Sequence, residues 1–427
     1  MSRVWSAAAA TVLVVPAVVA AGAGPVAAAA YTCGGETATL VGTAEADTLV
    51  GTAGADVIVG LGAKDSVEGL AGADRLCGGR GVDTIGAGGG DDTVWGGADG
   101  RAVFVEGDFI EGGPGDDTLH GGLDPDESGG LQTNEDVVVY DDAPRGVRVT
   151  LGEPTVTGQG IDTIDGFYSV VGSEHDDDIT AGAETDVVKG LGGADTMRID
   201  SNEGEVFGGA GNDQVRLGKF VFGNRGDDTI INARADVFGG QGDDLLLGRS
   251  HRDELYGGSG DDVLRGRGGP DDLLEEAGTN RIVGGDGADS LRGGHGRDVL
   301  VGGDGDDQLD PGDYVPPLGQ RERVADDVVL GGDRTDTVTY LDTYRTNGVR
   351  VDLRSGIATR VGRDRLASVE NATGGHRGDD LLGDRGPNVL TGNGGDDHIV
   401  GRGGADTAIG VDGTDRCDAE TELSCES

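Results

Sequence analysis

The sequence predicts an all-β solenoid, thin and repetitive, and three observations carry that reading. Glycine supplies 86 of 427 residues, against an average near roughly 7%. Aromatic residues make up only 4%, so a thick core rich in Leu and Phe is out of reach. A period of nine runs along much of the chain, and self-similarity at a fixed short period marks a repeat architecture. Composition alone points to disorder. The phase of the repeat argues against it, because a flexible linker has no reason to hold aspartate and an apolar residue in register.

The repeat appears in three main arrays. Between Gly42 and Trp95 the phase is held by Asp47, Asp56, Asp65, Asp74, Asp83 and Asp92, each followed two residues later by Leu49, Ile58, Val67, Leu76, Ile85 or Val94. From Gly239 to Asp310 the acids are Asp244, Asp253, Asp262, Asp271, Asp289, Asp298 and Asp307, with Asn280 in the remaining slot. The third array, Gly374 to Asp418, carries Asp379, Asn388, Asp397, Asp406 and Asp415. Shorter stretches surround Asp117, Asp195, Asp213 and Asp228. Units of the strict form Gly-Gly-x-Gly-x-Asp-x-apolar begin at Gly78, Gly112, Gly208, Gly239, Gly257, Gly284, Gly293 and Gly302.

At these residues the sequence resembles the hemolysin-type, or RTX, calcium-binding repeat, a nonapeptide that is a known β-helix signature. The resemblance implies a parallel β-roll in which two units make one coil of eighteen residues, so that Asp244 stacks over Asp262 and Asp289 over Asp307. It implies several calcium ions between stacked turns, held by aspartate carboxylates and turn carbonyls, the all-oxygen set that calcium prefers. Carried over position by position, the metal-ligating residues are Asp74, Asp83, Asp92, Asp117, Asp195, Asp213, Asp228, Asp244, Asp262, Asp271, Asp289, Asp298, Asp307, Asp397 and Asp406, with Gly78, Gly239, Gly257, Gly284, Gly293 and Gly302 in the turns. In each unit the apolar eighth residue sits in a short strand such as Val263-Leu264-Arg265, and the glycines allow backbone angles closed to other residues. Carboxylates one coil apart, about 4.8 Å, repel by roughly 3.5 kcal/mol at an effective dielectric of about 20. A divalent ion turns that repulsion into coordination, so its binding energy becomes folding energy. Departures weaken some turns: Gly42 to Asp47 lacks two glycines, Gly60 to Asp65 carries Lys64, and Asn280 and Arg377 interrupt their sites. The turns at Gly42 and Gly60 are candidates for caps without metal.

Charge narrows the partners. Seventy-nine acidic residues against 33 basic ones give −46, which argues against nucleic acid and anionic membranes and for a cationic partner. Residues 1–30 read as an export signal, with Arg3 as the lone charge, an apolar run from Ala7 to Ala21 and Ala28-Ala29-Ala30 before Tyr31. Its removal leaves −47, and no further apolar run could span a membrane. Four cysteines in an exported chain favour disulfides, and proximity pairs Cys33 with Cys77 and Cys417 with Cys425. An N-terminal signal predicts the general export pathway rather than the uncleaved C-terminal signal usual for RTX proteins, and Leu423–Ser427 carries no LPxTG-type sorting motif.

The domain reading follows the arrays: 1–30 signal, 31–135 first array with a disulfide-stapled cap, 136–171 a β-rich connecting unit, 172–310 the longest array, 311–373 a loop plus a second connecting unit, and 374–427 a third array with a C-terminal disulfide cap. The two connecting units resemble each other: Val139-Tyr140 precedes Gly146-Val-Arg-Val-Thr-Leu151, and Thr339-Tyr340 precedes Gly348-Val-Arg-Val-Asp-Leu353. Their alternation predicts strands that extend the roll, and Pro311, Pro316 and Pro317 predict a surface excursion.

Catalysis finds no footing in these residues. The histidines His120, His175, His251, His295, His376 and His398 form no HExxH pair, and Gly257-Gly-Ser-Gly-Asp261 fails as a GxSxG elbow at its last position. The sequence therefore predicts a secreted, monomeric, non-enzymatic calcium-binding protein. The alternatives are a calcium-dependent adhesin or cell-surface scaffold with an unidentified surface ligand, and a secreted hydrolase.

Overall fold

The computed structural model describes residues 31–98, 107–122, 136–183, 185, 187–200, 204–233, 235–312, 325–341, 348–359 and 362–425. The export segment at 1–30, together with Pro316 and Pro317, lies outside the described residues. Every regular element among the described residues is a strand, and no helix there is long and apolar enough to cross a membrane.

The strands are short because each unit has only one apolar residue to bury. In Leu245–Leu247 the central Leu246 points inward and is fully buried, while its neighbours face outward, as alternation along a strand requires. Each strand pairs in parallel with the one a coil earlier and a coil later. Leu246 lies beside Leu264, and Leu264 beside Ile282. Across the coil, Leu255 lies beside Leu273, and Leu273 beside Leu291. Two parallel ladders result, and their inward columns meet in one narrow core that includes Leu76, Leu246, Leu264 and Leu309. This is the parallel β-solenoid that the nonapeptide period predicts.

Twenty of the 46 strands among the described residues are longer than three residues. The strand expected at Val263-Leu264-Arg265 continues to Gly268, because Arg267 and Gly268 go on pairing with Gly285 and Asp286 of the next coil. The leading glycines of such turns therefore belong to the ladder as much as to the turn.

The connecting units interrupt the parallel winding in a way that alternation alone does not reveal. In the first, Arg148–Thr150, Thr155–Thr157 and Ile161–Asp165 form an antiparallel meander. Its last strand docks in parallel on Thr118–Gly122, and its first on Asp178–Ala181. The second repeats this with Arg350–Asp352, Ile357–Thr359 and Arg363–Ala367 between Val328–Asp333 and Asp380–Leu382. One sheet thus gains three rungs, while the facing sheet gains one, Val137–Val139 or Thr337–Thr339. Tyr140 and Tyr340, the largest fully buried side chains, fill the core at these points. The Tyr340 hydroxyl donates to Asp364 Oδ2 at 3.0 Å, which satisfies the polar end of a ring that has no route to water.

At the N-terminal end a two-stranded hairpin, Thr32–Cys33 with Glu36–Thr37, sits on the first coils. Cys33 packs with Ala38, Val57 and Val59 in a small second cluster. The Cys33 and Cys77 sulfurs lie at bonding distance with Cα atoms 5.8 Å apart, and those of Cys417 and Cys425 with Cα atoms 5.9 Å apart.

Candidate metal-binding turns

Each turn ends on the aspartate that precedes a strand, so the coil geometry stacks these aspartates along the edges of the solenoid. The stacking is fixed by a repeated pair of hydrogen bonds. The Asp244 N–H donates to Asp262 Oδ1 at 2.7 Å, and the Asp289 N–H to Asp307 Oδ1 at 2.9 Å. The backbone closes the same step, as where the Val263 N–H donates to the Asp244 carbonyl at 2.8 Å. One edge carries Asp47, Asp65, Asp83 and Asp108, and the opposite edge Asp56, Asp74, Asp92 and Asp117.

These bonds occupy one carboxylate oxygen and leave the other. Asp74, Asp92, Asp117, Asp195, Asp213, Asp228, Asp244, Asp271, Asp289, Asp307, Asp397 and Asp406 are all buried, and in each Oδ2 has no hydrogen-bond partner. Asp65 and Asp336 share this state. Asp83 is stacked in the same way, with Oδ1 accepting from the Asp65 N–H at 2.8 Å. Asp298 Oδ1 accepts from the Asn280 N–H at 2.8 Å. Buried carboxylate oxygens are ordinarily paired, and leaving a charge unpaired in a dry site is costly. A row of them calls for a partner that the side chains do not supply.

The carboxyl groups respond as electrostatics requires. Burial, only partly offset by the hydrogen bond from the preceding aspartate, pushes Asp117, Asp228, Asp244, Asp271 and Asp397 up to about 7, and Asp195 to about 8. Neighbouring aspartates add to the rise. Without a cation these six carboxyls hold protons at a pH where free aspartate is ionised.

Carbonyl oxygens converge on the same places. Beside the first glycine of a turn, where a Cβ would project, lie the Oδ2 of the turn's own aspartate and the carbonyl oxygen of the next coil. At Gly239 and Gly284 that Cβ would stand 2.7 Å from the Gly257 and Gly302 oxygens, at Gly78 2.7 Å from Gly96, at Gly302 2.5 Å from Gly331, and at Gly293 2.5 Å from Pro311. A Cβ at these glycines would crowd both oxygens. Carboxylate and carbonyl oxygens together are the hard donors of a calcium shell. Among the described residues no three His, Cys, Asp or Glu side chains converge to hold a metal by themselves, so carbonyls have to complete any shell.

The second residue of these turns adopts a left-handed backbone even where it is not glycine: Leu61 at φ 87°, Leu191 at 80°, Arg267 at 80° and Val411 at 91°. The turn between Gly60 and Asp65 is thus as open as the strict ones, despite its lysine. The turn between Gly42 and Asp47 is not. There the Thr43 N–H and hydroxyl donate to Asp47 Oδ2 at 2.5 and 2.9 Å.

Two residues of interest escaped the sequence reading. Asp336 was legible, since Gly331-Gly332 stands at the right distance before it and Val338 two residues after. Glu275 was not. It replaces the first glycine of its turn, and its side chain reaches back to the preceding coil, where Oε2 accepts from the Gly258 N–H at 3.2 Å beside Asp262. It fills the space beside Gly257 that a carbonyl occupies elsewhere. Burial first, then Asp262, raises its carboxyl to about 10.

Fold and turns together define a β-solenoid repeat protein whose edges carry stacked, oxygen-lined turns. Comparison with known families agrees: the RTX calcium-binding nonapeptide repeat matches at residues 41–76, 68–100, 107–127, 171–199, 205–219, 238–273, 276–309 and 373–416, more than half of the chain. The chain belongs to that family. No curated protein matches it.

Proposed function

We propose that the chain is an extracellular, non-catalytic scaffold that folds by binding calcium at its stacked turns. The observation that carries this reading is the row of buried aspartate Oδ2 atoms without partners, with a carbonyl oxygen of the next coil close by in turns such as those beginning at Gly239, Gly284 and Gly302. Asp74, Asp83, Asp92, Asp117, Asp195, Asp213, Asp228, Asp244, Asp262, Asp271, Asp289, Asp298, Asp307, Asp397 and Asp406 would supply the carboxylates. The first glycines, among them Gly78, Gly239, Gly284, Gly293 and Gly302, would keep the space open, while beside Gly257 the Glu275 carboxyl stands where the carbonyl lies elsewhere. Calcium, when bound, supplies the positive charge that the stacks lack. The export-like segment at 1–30 and the two cysteine pairs support an oxidising, extracytoplasmic setting, in which the pairs staple the ends of the array.

Circular dichroism during calcium titration, with magnesium as control, tests the proposal. A calcium-specific gain of β-structure is expected. Identical spectra in chelator and in calcium would refute it.

A second reading, calcium-dependent adhesion, draws on the outer face of one sheet. There Phe207, Phe222, Phe238 and Tyr256 stack ring on ring at 4.7 to 5.0 Å between centroids, half-buried. Binding to whole cells that is lost on chelation would favour it.

A further inference from the structure

Apart from the turn from Glu275 to Asn280, the described turns fall into two kinds, and the division tracks the backbone of one residue. In the open kind the second residue has a positive φ and the aspartate Oδ2 has no partner, as at Leu61 with Asp65, Leu191 with Asp195 and Gly240 with Asp244. In the closed kind the second residue does not have a positive φ, and its N–H donates into the turn's own side chain. Thr43 donates to Asp47, Thr52 to Asp56, Ser173 to Asp177, Arg249 to Asp253, Gly375 to Asp379 and Asp384 to Asn388, at 2.5 to 2.8 Å. Hydroxyls add a second donor: Thr52 Oγ1 to Asp56 Oδ2 at 2.8 Å and Ser173 Oγ to Asp177 Oδ1 at 2.7 Å.

We infer that the backbone conformation of the second residue of each turn decides whether that turn takes a divalent cation, the closed turns being complete without one. This rests on the reading of the open turns as calcium sites. In the closed turns that end on aspartate, Oδ2, the oxygen left without a partner in the open ones, already accepts from the amide of the second residue, joined at Thr43 and Thr52 by the hydroxyl, and charge-assisted bonds of this kind are strong. Positive φ at the second residue swings that amide away and leaves Oδ2 for a cation.

Position along the chain supports the division. Five of the six closed turns open an array: Thr43 and Thr52 in the first, Ser173 directly after the first antiparallel meander, and Gly375 and Asp384 after the second. There the meander itself supplies the remaining donor, the Val147 N–H to Asp177 Oδ1 at 2.7 Å and the Val349 N–H to Asp379 Oδ1 at 2.6 Å. A coil that begins an array has no earlier turn of its own kind with which to share an ion. Arg249, the sixth, lies inside an array and adds its guanidinium to Asp253 at 3.3 Å.

The test counts bound calcium per chain by native mass spectrometry at saturating calcium. Thr52→Gly and Ser173→Gly remove the hydroxyl and release the backbone, and each is expected to bind one ion more than the unaltered chain. Leu191→Ser, which introduces the closing residue into an open turn without adding a Cβ, is expected to bind one fewer. An unaltered chain that binds many ions, with unchanged counts in Thr52→Gly and Ser173→Gly, overturns the inference. An unaltered chain that binds none overturns the calcium reading itself, and this inference with it.

Discussion

Gly79 and Gly86 lie seven residues apart in one coil, and alanine at the two positions should have opposite consequences. Gly79 is the second residue of the turn ending at Asp83, with φ +117°, and a Cβ there would stand 2.6 Å from the Leu61 carbonyl oxygen and 2.8 Å from its carbon. Gly86 has no positive φ, and its Cβ would meet nothing within 4 Å. Positive φ costs an alanine about 1–2 kcal/mol. Relieving the overlap requires adjacent coils, paired at Leu61 and Gly79, to part by several tenths of an ångström, an overpacking cost of about 1–3 kcal/mol. Gly79→Ala should therefore lose about 2–5 kcal/mol, and Gly86→Ala should stay within about 0.5 kcal/mol of the parent. Hydrogen exchange in saturating calcium suits a solenoid, because it reports the opening of individual coils. Equal protection of the Leu61 and Cys77 amides in both variants would refute the claim that backbone-to-backbone contact fixes the coil spacing.

Acidification should strengthen the metal-free fold. Asp117, Asp195, Asp228, Asp244 and Asp271 are raised from 3.8 to between about 7 and 8. Their contribution is fully present below the unfolded value and is lost as pH rises through the folded one. In chelator, β-content by circular dichroism should therefore be higher at pH 5 than at pH 8, and a reversed order would contradict the assigned burial. Tyr340→Phe removes the donor to Asp364, whose carboxyl burial and Asp327 raise to about 7. The loss should be about 1.5–3 kcal/mol where Asp364 is ionised, shrinking below pH 6, as urea unfolding at the two pH values would show.

The winding was legible because one residue in nine is apolar and one is acidic, in fixed phase. That phase alone sets Leu264 beside Leu246 and Asp262 over Asp244. The connecting units were less legible. Val-Arg-Val at 147–149 alternates just as a parallel strand does, and nothing in that pattern shows that Thr155–Thr157 runs backwards between its neighbours; the reversal depends on pairing at a distance. The state of each turn was half visible. Lys64 drew suspicion to a turn that is open, because a lysine at the fifth position faces outward and leaves the backbone unchanged. The threonine at 43 mattered more than the missing glycines, since its amide and hydroxyl reach the carboxylate. Glu275 gave no signal, because its reach into the preceding coil follows from stacking rather than from local sequence.

The residue just before each first glycine is the ninth of its unit and projects outward on the ladder. Cys77 occupies it where the hairpin is fastened, Trp95 and His120 occupy it as a stacked pair 5.5 Å apart, and the aromatic row from Phe207 to Tyr256 occupies it in four successive coils. Because winding and turn geometry are settled by the other positions, this column can be rewritten residue by residue without disturbing either. The molecule thus separates the grammar that shapes the rod from the vocabulary that its surroundings meet.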